Sequence, residues 1–329
     1  MVTLLAAALA ACAGPAGAAA GSAGVQGMRW AMSGSDFEPA HMQGWVNLGF
    51  TIGPGTNLSG LAGLVTAWTE YGIPSLAYLE GGPHPQILQP GVGLSEGWQA
   101  ALATAVAKIK PFLGPDKAIR GVGLGDELCC RNTTCWQDYV PYTRELRRLI
   151  GPEALIYTNE CWLGATPMAN VTMADMDFDL FSVDAYQWDY RQPTIGHAEA
   201  AEIEALYTET IIPRLAAKTQ VLLVPGVFGC SNSSAIGKVV PLEGTKGAAA
   251  HGQDQIVVDK LEGLFSWAKT EPRVGGFNPW HFADRGHNQA PGCPCDMQLG
   301  ASSMPAVVAK LREINLWIMH NNSSDHTYE

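Results

Sequence analysis

The chain has 329 residues, a formal charge of −11, 47% hydrophobic and 16% charged residues, and a mean hydropathy of +0.03. That length suits one large core of the α/β-barrel kind. No cluster of Lys and Arg stands out, which argues against nucleic acid or an anionic membrane surface as partner, and the acidic balance suits a neutral substrate better than a polyanion.

Residues 1–25 read as a leader. Val2–Ala11 are mostly apolar, and small residues follow through a cleavage zone near Ala18–Gly21. The stretch is too short to span a bilayer. Leu9-Ala10-Ala11-Cys12 also resembles a lipobox, with Cys12 as a lipid-anchor site, but an alanine-rich leader with a chance cysteine is preferred. Six of the eleven asparagines open an Asn-x-Ser/Thr triplet: Asn57, Asn132, Asn170, Asn232, Asn321 and Asn322. Six together favour a secretory route and a glycoprotein. No membrane span, cofactor or metal is expected, and the protein is expected to be a monomer outside the cell.

From Arg29 onward, short apolar runs alternate with amphipathic stretches. The runs are Arg29–Met32, Trp45–Thr51, Ser75–Leu79, Gly121–Leu124, Ala154–Thr158, Leu180–Val183, Val221–Val224 and Val274–Phe277. Helical texture covers Leu58–Tyr71, Glu96–Leu113, Trp136–Ile150, Ala198–Leu215, Asp254–Thr270 and Met304–Trp317. Asn57 or Ser59 is placed to cap the first helix and Ser95 the second. Eight near-continuous apolar strands alternating with helices predict a (β/α)8 TIM barrel, one domain over residues 26–320, with a frayed tail at 321–329. An open doubly wound sheet is the alternative. It lacks a Gly-x-Gly-x-x-Gly after the first strand and a P-loop.

In such a barrel the reactive face is built from the carboxyl ends of the strands. Strand 3 ends in Glu80, strand 4 in Asp126-Glu127, strand 5 in Asn159-Glu160, strand 6 in Asp184-Ala185-Tyr186 with Trp188 close behind, and strand 8 in Asn278-Pro279-Trp280-His281. Carboxylates interleaved with aromatics are what glycoside cleavage requires. One acid of raised pKa protonates the leaving oxygen, a second carboxylate acts as nucleophile or base, and aromatic faces stack on sugar rings. Glu127 is the candidate general acid, with Glu160 and Asp184 as further catalytic carboxylates. Asp126, Tyr186, Trp188, Trp280, His281 and Glu80 are candidate substrate-binding residues. Each also has a plainer reading, as a rim salt bridge, a loop anchor or a packed aromatic.

The chain resembles the TIM-barrel glycoside hydrolases as a broad group, nearest the chitinase-like branch. The likeness rests on Glu127 ending strand 4, the Asp184/Tyr186 pair ending strand 6 and Trp280 ending strand 8. It implies hydrolysis of a neutral glycan or polysaccharide. The chain departs from the branch where its ladder of Asp residues would precede the strand-4 Glu, because Arg120, Gly123 and Gly125 stand there. It also lacks the Asn-Glu on strand 4 and the Glu on strand 7 of a larger clan.

Two other functions compete. Glu80, Glu127, Glu160 and Asp184 form a ring that a hard divalent cation would accept. A sugar-binding barrel without turnover would use the same groups for hydroxyls. A Schiff-base aldolase needs a Lys at a strand end, and an amidohydrolase needs His-x-His on strand 1; neither is present. Cys129, Cys130, Cys135, Cys161, Cys230, Cys293 and Cys295 fall after strands 4, 5, 7 and 8. Adjacent cysteines are poor zinc ligands, so disulfide bracing of the loops at the carboxyl face is the favoured reading.

Overall fold

The computed structural model describes residues 31–34, 46–50, 58–79, 87–89, 93–129, 136–161, 173–185, 197–227, 229–230, 251–280 and 298–322. Eight strands form one sheet: β1 (Ala31–Gly34), β2 (Leu48–Phe50), β3 (Ser75–Tyr78), β4 (Ile119–Asp126), β5 (Leu155–Cys161), β6 (Leu180–Asp184), β7 (Gln220–Val224) and β8 (Val274–Phe277). Each pairs in parallel with the next, and β8 pairs back onto β1, so the sheet closes into a barrel. Helices α1 (Leu58–Tyr71), α2 (Trp98–Ile109), α3 (Trp136–Ile150), α4 (His197–Ala205), α5 (His251–Ala268) and α6 (Pro305–Asn322) accompany them. Among the described residues, no helix is long and apolar enough to cross a membrane.

All eight expected strands form, with shifts at their ends. β1 runs two residues past Met32, to Gly34. β4 and β5 run on past the apolar residues to Asp126 and Cys161, because strand pairing continues into the polar ends. Ser95 does not cap α2. Gly97 sits at the N-cap with φ 73°, a left-handed conformation that glycine adopts without a Cβ clash. α6 continues through Asn321 and Asn322, two residues into the expected tail.

The helix expected over Ala198–Leu215 is broken into α4, a π-helical stretch (Leu206–Ile211) and a 3-10 turn (Ile212–Arg214). The π stretch carries Tyr207, whose hydroxyl accepts the Val183 N–H at 3.0 Å. The same hydroxyl lies 3.2 Å from both the Val183 and Leu222 carbonyls. It therefore bridges β6 and β7 from outside the sheet. Burial raises its pKa far above that of a free tyrosine, so it stays a donor.

Two apolar layers hold the barrel. The larger lies between strands and helices and includes Val122, Leu124, Ile156, Phe181, Val183, Trp136 and Tyr139. The smaller fills the lumen with Leu48, Leu76, Tyr78, Leu155, Tyr157, Leu180 and Leu222. Strand alternation explains the split: on β5, Leu155 and Tyr157 face in, while Ile156 faces the helices. At the amino end, Arg147 of α3 bonds Asp177 and Asp179, and Asp179 accepts the Ile156 N–H at 2.8 Å, which ties the start of β5 to that of β6.

Glycine is required in β4. A Cβ on Gly121 would lie 2.4 Å from the Leu155 carbonyl oxygen, and one on Gly123 would lie 2.8 Å from the Tyr78 ring. Gly121 meets backbone, which cannot step aside. The Gly121→Ala variant is therefore expected to lose about 3 kcal/mol of stability through overpacking. A urea titration should show a lower midpoint at an unchanged slope.

Candidate active site

One irregularity in β4 decides which side chains reach the mouth of the barrel. Gly123 pairs with Tyr157, yet Asp126 pairs with Asn159, so β4 spends three residues where β5 spends two. Plain alternation from the inward Gly123 would turn Asp126 outward. The extra residue resets the alternation and aims Asp126 inward, the usual effect of a β-bulge.

Asn159 is the hub there. Its amide nitrogen donates to Asp126 Oδ1 at 2.9 Å and to Asp184 Oδ1 at 2.8 Å. Carboxylates only accept, so the NH2 end must face them and the carbonyl end must face away. That carbonyl accepts the Ser182 hydroxyl. Ser182 Oγ is 2.7 Å from the Tyr157 hydroxyl, and Tyr157 accepts from Asn278 Nδ2 at 3.2 Å. With Ser182 donating to Asn159, Tyr157 donates to Ser182. The chain of donors thus runs from Asn278 through Tyr157, Ser182 and Asn159 and ends on the two acids. Such aligned bonds polarise one another in a low-dielectric site.

The tyrosines beneath are held neutral. Burial, helped by the nearby Asp184 and Asp126 charges, raises the pKa of Tyr157. Burial, then Tyr157 and the same two acids, does so for Tyr78. The two rings meet at 6.2 Å and floor the site. Asp126 is exposed and Asp184 partly so, leaving the two acids open to solvent above this floor.

Glu127 follows at the rim and is exposed. Its N–H donates to the Asn159 carbonyl at 2.9 Å, and its φ of 52° is left-handed, the one non-glycine residue with positive φ among those described. A carboxylate in that conformation at a strand end is strained, and strain of this kind collects at functional sites.

Glu160 requires a correction. It was expected to join the mouth, but alternation on β5 turns it, with Thr158, toward α3. Its side chain is fully buried, accepts the Tyr139 hydroxyl and accepts the Cys129 N–H at 3.0 Å. Burial raises its pKa to about 8. The Tyr139 and Cys129 bonds pull it down, and Glu127 and Asp126 push it up. With no exposed surface it cannot touch a substrate, and the four-acid ring considered for a divalent cation is not assembled with it.

Trp280, three residues past β8, lies beside the residues that follow β7. Its N–H donates to the Pro225 carbonyl at 3.0 Å, it bridges to Gly226, and it is partly exposed. Cys129 and Cys161 are buried at the ends of β4 and β5. Cys230 lies in a two-residue ribbon (Gly229–Cys230) paired with Gln298–Leu299. Glu80, Cys130, Cys135, Tyr186, Trp188, His281, Cys293, Cys295, Asn57, Asn132, Asn170 and Asn232, like the leader, lie outside the described residues. Asn159, Ser182, Tyr157 and Asn278 were not singled out from sequence. The period-two pattern contained the signal for three of them, since 157 and 159 share a face on β5, as do 182 and 184 on β6.

Among the described residues, His197, Asp259 and Glu262 bring possible metal-ligand atoms within 4.8 Å of one another on α4 and α5. Glu262 is already paired with Lys310 at 2.9 Å, so this group is taken up in packing the helix layer.

No protein-family model matches the chain, and no curated protein matches it in sequence. Solved structures of similar fold include glycoside hydrolases. A β-glucuronidase from Faecalibacterium prausnitzii superposes with a TM-score of 0.58 at 13% identity, over 87% of this chain and 49% of that one. A chitinase from Rhizomucor miehei gives 0.52 at 12% identity, over 87% of this chain and 99% of the chitinase. A β-galacturonidase from Eisenbergiella tayi gives 0.52 at 14%, over 82% and 46%. The chain spans less than half of the galacturonidase and nearly all of the chitinase. At these identities the likeness is one of fold.

Replacing Glu127 by Gly removes the left-handed penalty at that turn, so Glu127→Gly is expected to gain about 0.5–1 kcal/mol. Chemical denaturation of the two proteins checks this. A loss of stability would mean that Glu127 serves the fold.

Proposed function

We propose that the protein is a secreted glycoside hydrolase acting on a neutral glycan or polysaccharide. One observation carries this reading: a single amide, Asn159, holds Asp126 and Asp184 together at the open end of a closed barrel, with Glu127 the next residue along the rim. Both acids bond the same nitrogen, so their Oδ1 atoms stand no farther apart than those two bonds laid end to end.

In this reading Glu127 protonates the leaving oxygen. Asp184 attacks or steadies the anomeric carbon, with Asn159 fixing its orientation. Asp126 takes a sugar hydroxyl, and Trp280 offers an aromatic face. Disulfide bracing of the rim belongs to the same proposal and is supported by Cys129 and Cys161, which are disulfide-bonded. Disulfides in turn suit a secretory route. Tyr186, Trp188, His281 and Glu80 are proposed as outer contacts to substrate.

Hydrolysis of a panel of nitrophenyl glycosides and neutral polysaccharides tests the proposal. Glu127→Gln and Asp184→Asn are each expected to lower kcat by about 10²–10⁴ with the fold intact. Full activity in Glu127→Gln would remove the assignment of the general acid. Glycan binding without turnover by the unaltered chain would favour a lectin-like barrel.

A further inference from the structure

Among the described residues, Glu160 is the strand-end acid turned away from the mouth, yet it touches the turn that builds the mouth. Its two oxygens lie 3.0 and 3.3 Å from the Cys129 N–H, two residues past Glu127. The Tyr139 hydroxyl, from α3, donates to it from the other side, and Thr158 Oγ1 lies 3.3 Å from that hydroxyl. Tyr139 is clamped in turn by Trp136 at 5.6 Å and Phe178 at 5.5 Å between ring centroids. Besides the disulfide of Cys129, two backbone hydrogen bonds pin the residues from Asp126 to Cys129. The Glu127 N–H is bonded to the Asn159 carbonyl, and the Cys129 N–H to Glu160.

We propose that Glu160 and Tyr139 are positioning residues, which hold the left-handed turn at Glu127 in place through the Cys129 N–H and release it when the Glu160 carboxyl loses its proton. The value of this for catalysis rests on the reading of Glu127 and Asp126 as site acids. Three sets of groups face the carboxyl: Tyr139 from α3, Asp126, Glu127 and the Cys129 N–H from the end of β4, and Thr158 from its own strand. The two acids and burial favour the protonated form. The phenol and the amide favour the ionised one.

The sign follows from linkage. An acid whose folded pKa lies above its free value binds its proton more tightly when enclosed. Enclosure is therefore most favourable in acid and is lost as pH rises from the ordinary glutamate range, about 4.3, toward about 8, beyond which the loss levels off. The proton leaves to solvent as the turn opens. Glutamine mimics the neutral acid, with its carbonyl accepting the Cys129 N–H, and cannot titrate. Removing the Tyr139 hydroxyl takes away a bond that favours the ionised form, which raises the pKa of Glu160.

Mass-spectrometric amide exchange of the full-length protein over residues 126–129, from pH 5 to pH 10 and corrected for intrinsic exchange, tests this. In the unaltered chain, protection should fall by up to about tenfold per pH unit and level off near pH 8. In Glu160→Gln it should stay flat and high. In Tyr139→Phe it should level off at a higher pH, and this variant decides the matter if Glu160→Gln does not fold. A fall in Glu160→Gln equal to that of the unaltered chain, or an unmoved plateau in Tyr139→Phe, overturns the proposal. The readout needs no substrate. A chain that cleaves no glycan yet shows these curves loses the hydrolase reading alone. A hydrolase with superimposable curves loses the positioning role alone.

Discussion

The mouth of the barrel depends on one extra residue in β4. Without it, the strand would reach its end with Asp126 turned outward. The Asn159 amide would then have one acid to serve instead of two. The bulge reverses that parity between Gly123 and Asp126 and costs the strand some pairing with β5. Two features of the rim are downstream of it: the Asp126–Asn159–Asp184 bridge and the left-handed turn at Glu127.

β5 then sorts its polar residues by face. Asn159 looks into the lumen, where it ends a chain of donors rising from Asn278. Glu160, one residue on, looks toward α3 and is shut in among aromatic rings. Adjacent residues of one strand thereby reach opposite electrostatic fates. The amide binds two acids open to solvent, while the carboxyl behind it is driven by burial toward its neutral form. Two functions, presentation and support, share a strand without sharing a surface.

The barrel was legible in the sequence because its strands are buried on both faces and so read as continuous apolar runs. Val221–Val224 and Leu180–Val183 declare themselves this way. The end of the barrel where Asp126 and Asp184 meet was legible too, because these polar residues stand where the apolar runs end. Which acids meet was not. Apolar runs carry no parity, and a bulge changes parity without changing composition. Glu160 and Asp184 both end strands and look alike on paper. Only the register of each strand, fixed by Leu155 and Tyr157 of β5 and Leu180 of β6 packing in the lumen, turns Glu160 out and Asp184 in. The break in the helix after Ala205 was hidden for a similar reason, since π and α geometry place apolar residues at nearly the same spacing.

Tyr207 has a further consequence for how the barrel deforms. β4 to β7 run for 8, 7, 5 and 5 residues. This side is also riveted across its β6–β7 seam by a phenol that cannot slide without losing its partners on both strands. That seam is therefore the stiff joint of the barrel: shearing β6 against β7 would break the phenol's bonds to both, so the wall bearing Asp184 is the anvil against which the mouth is built.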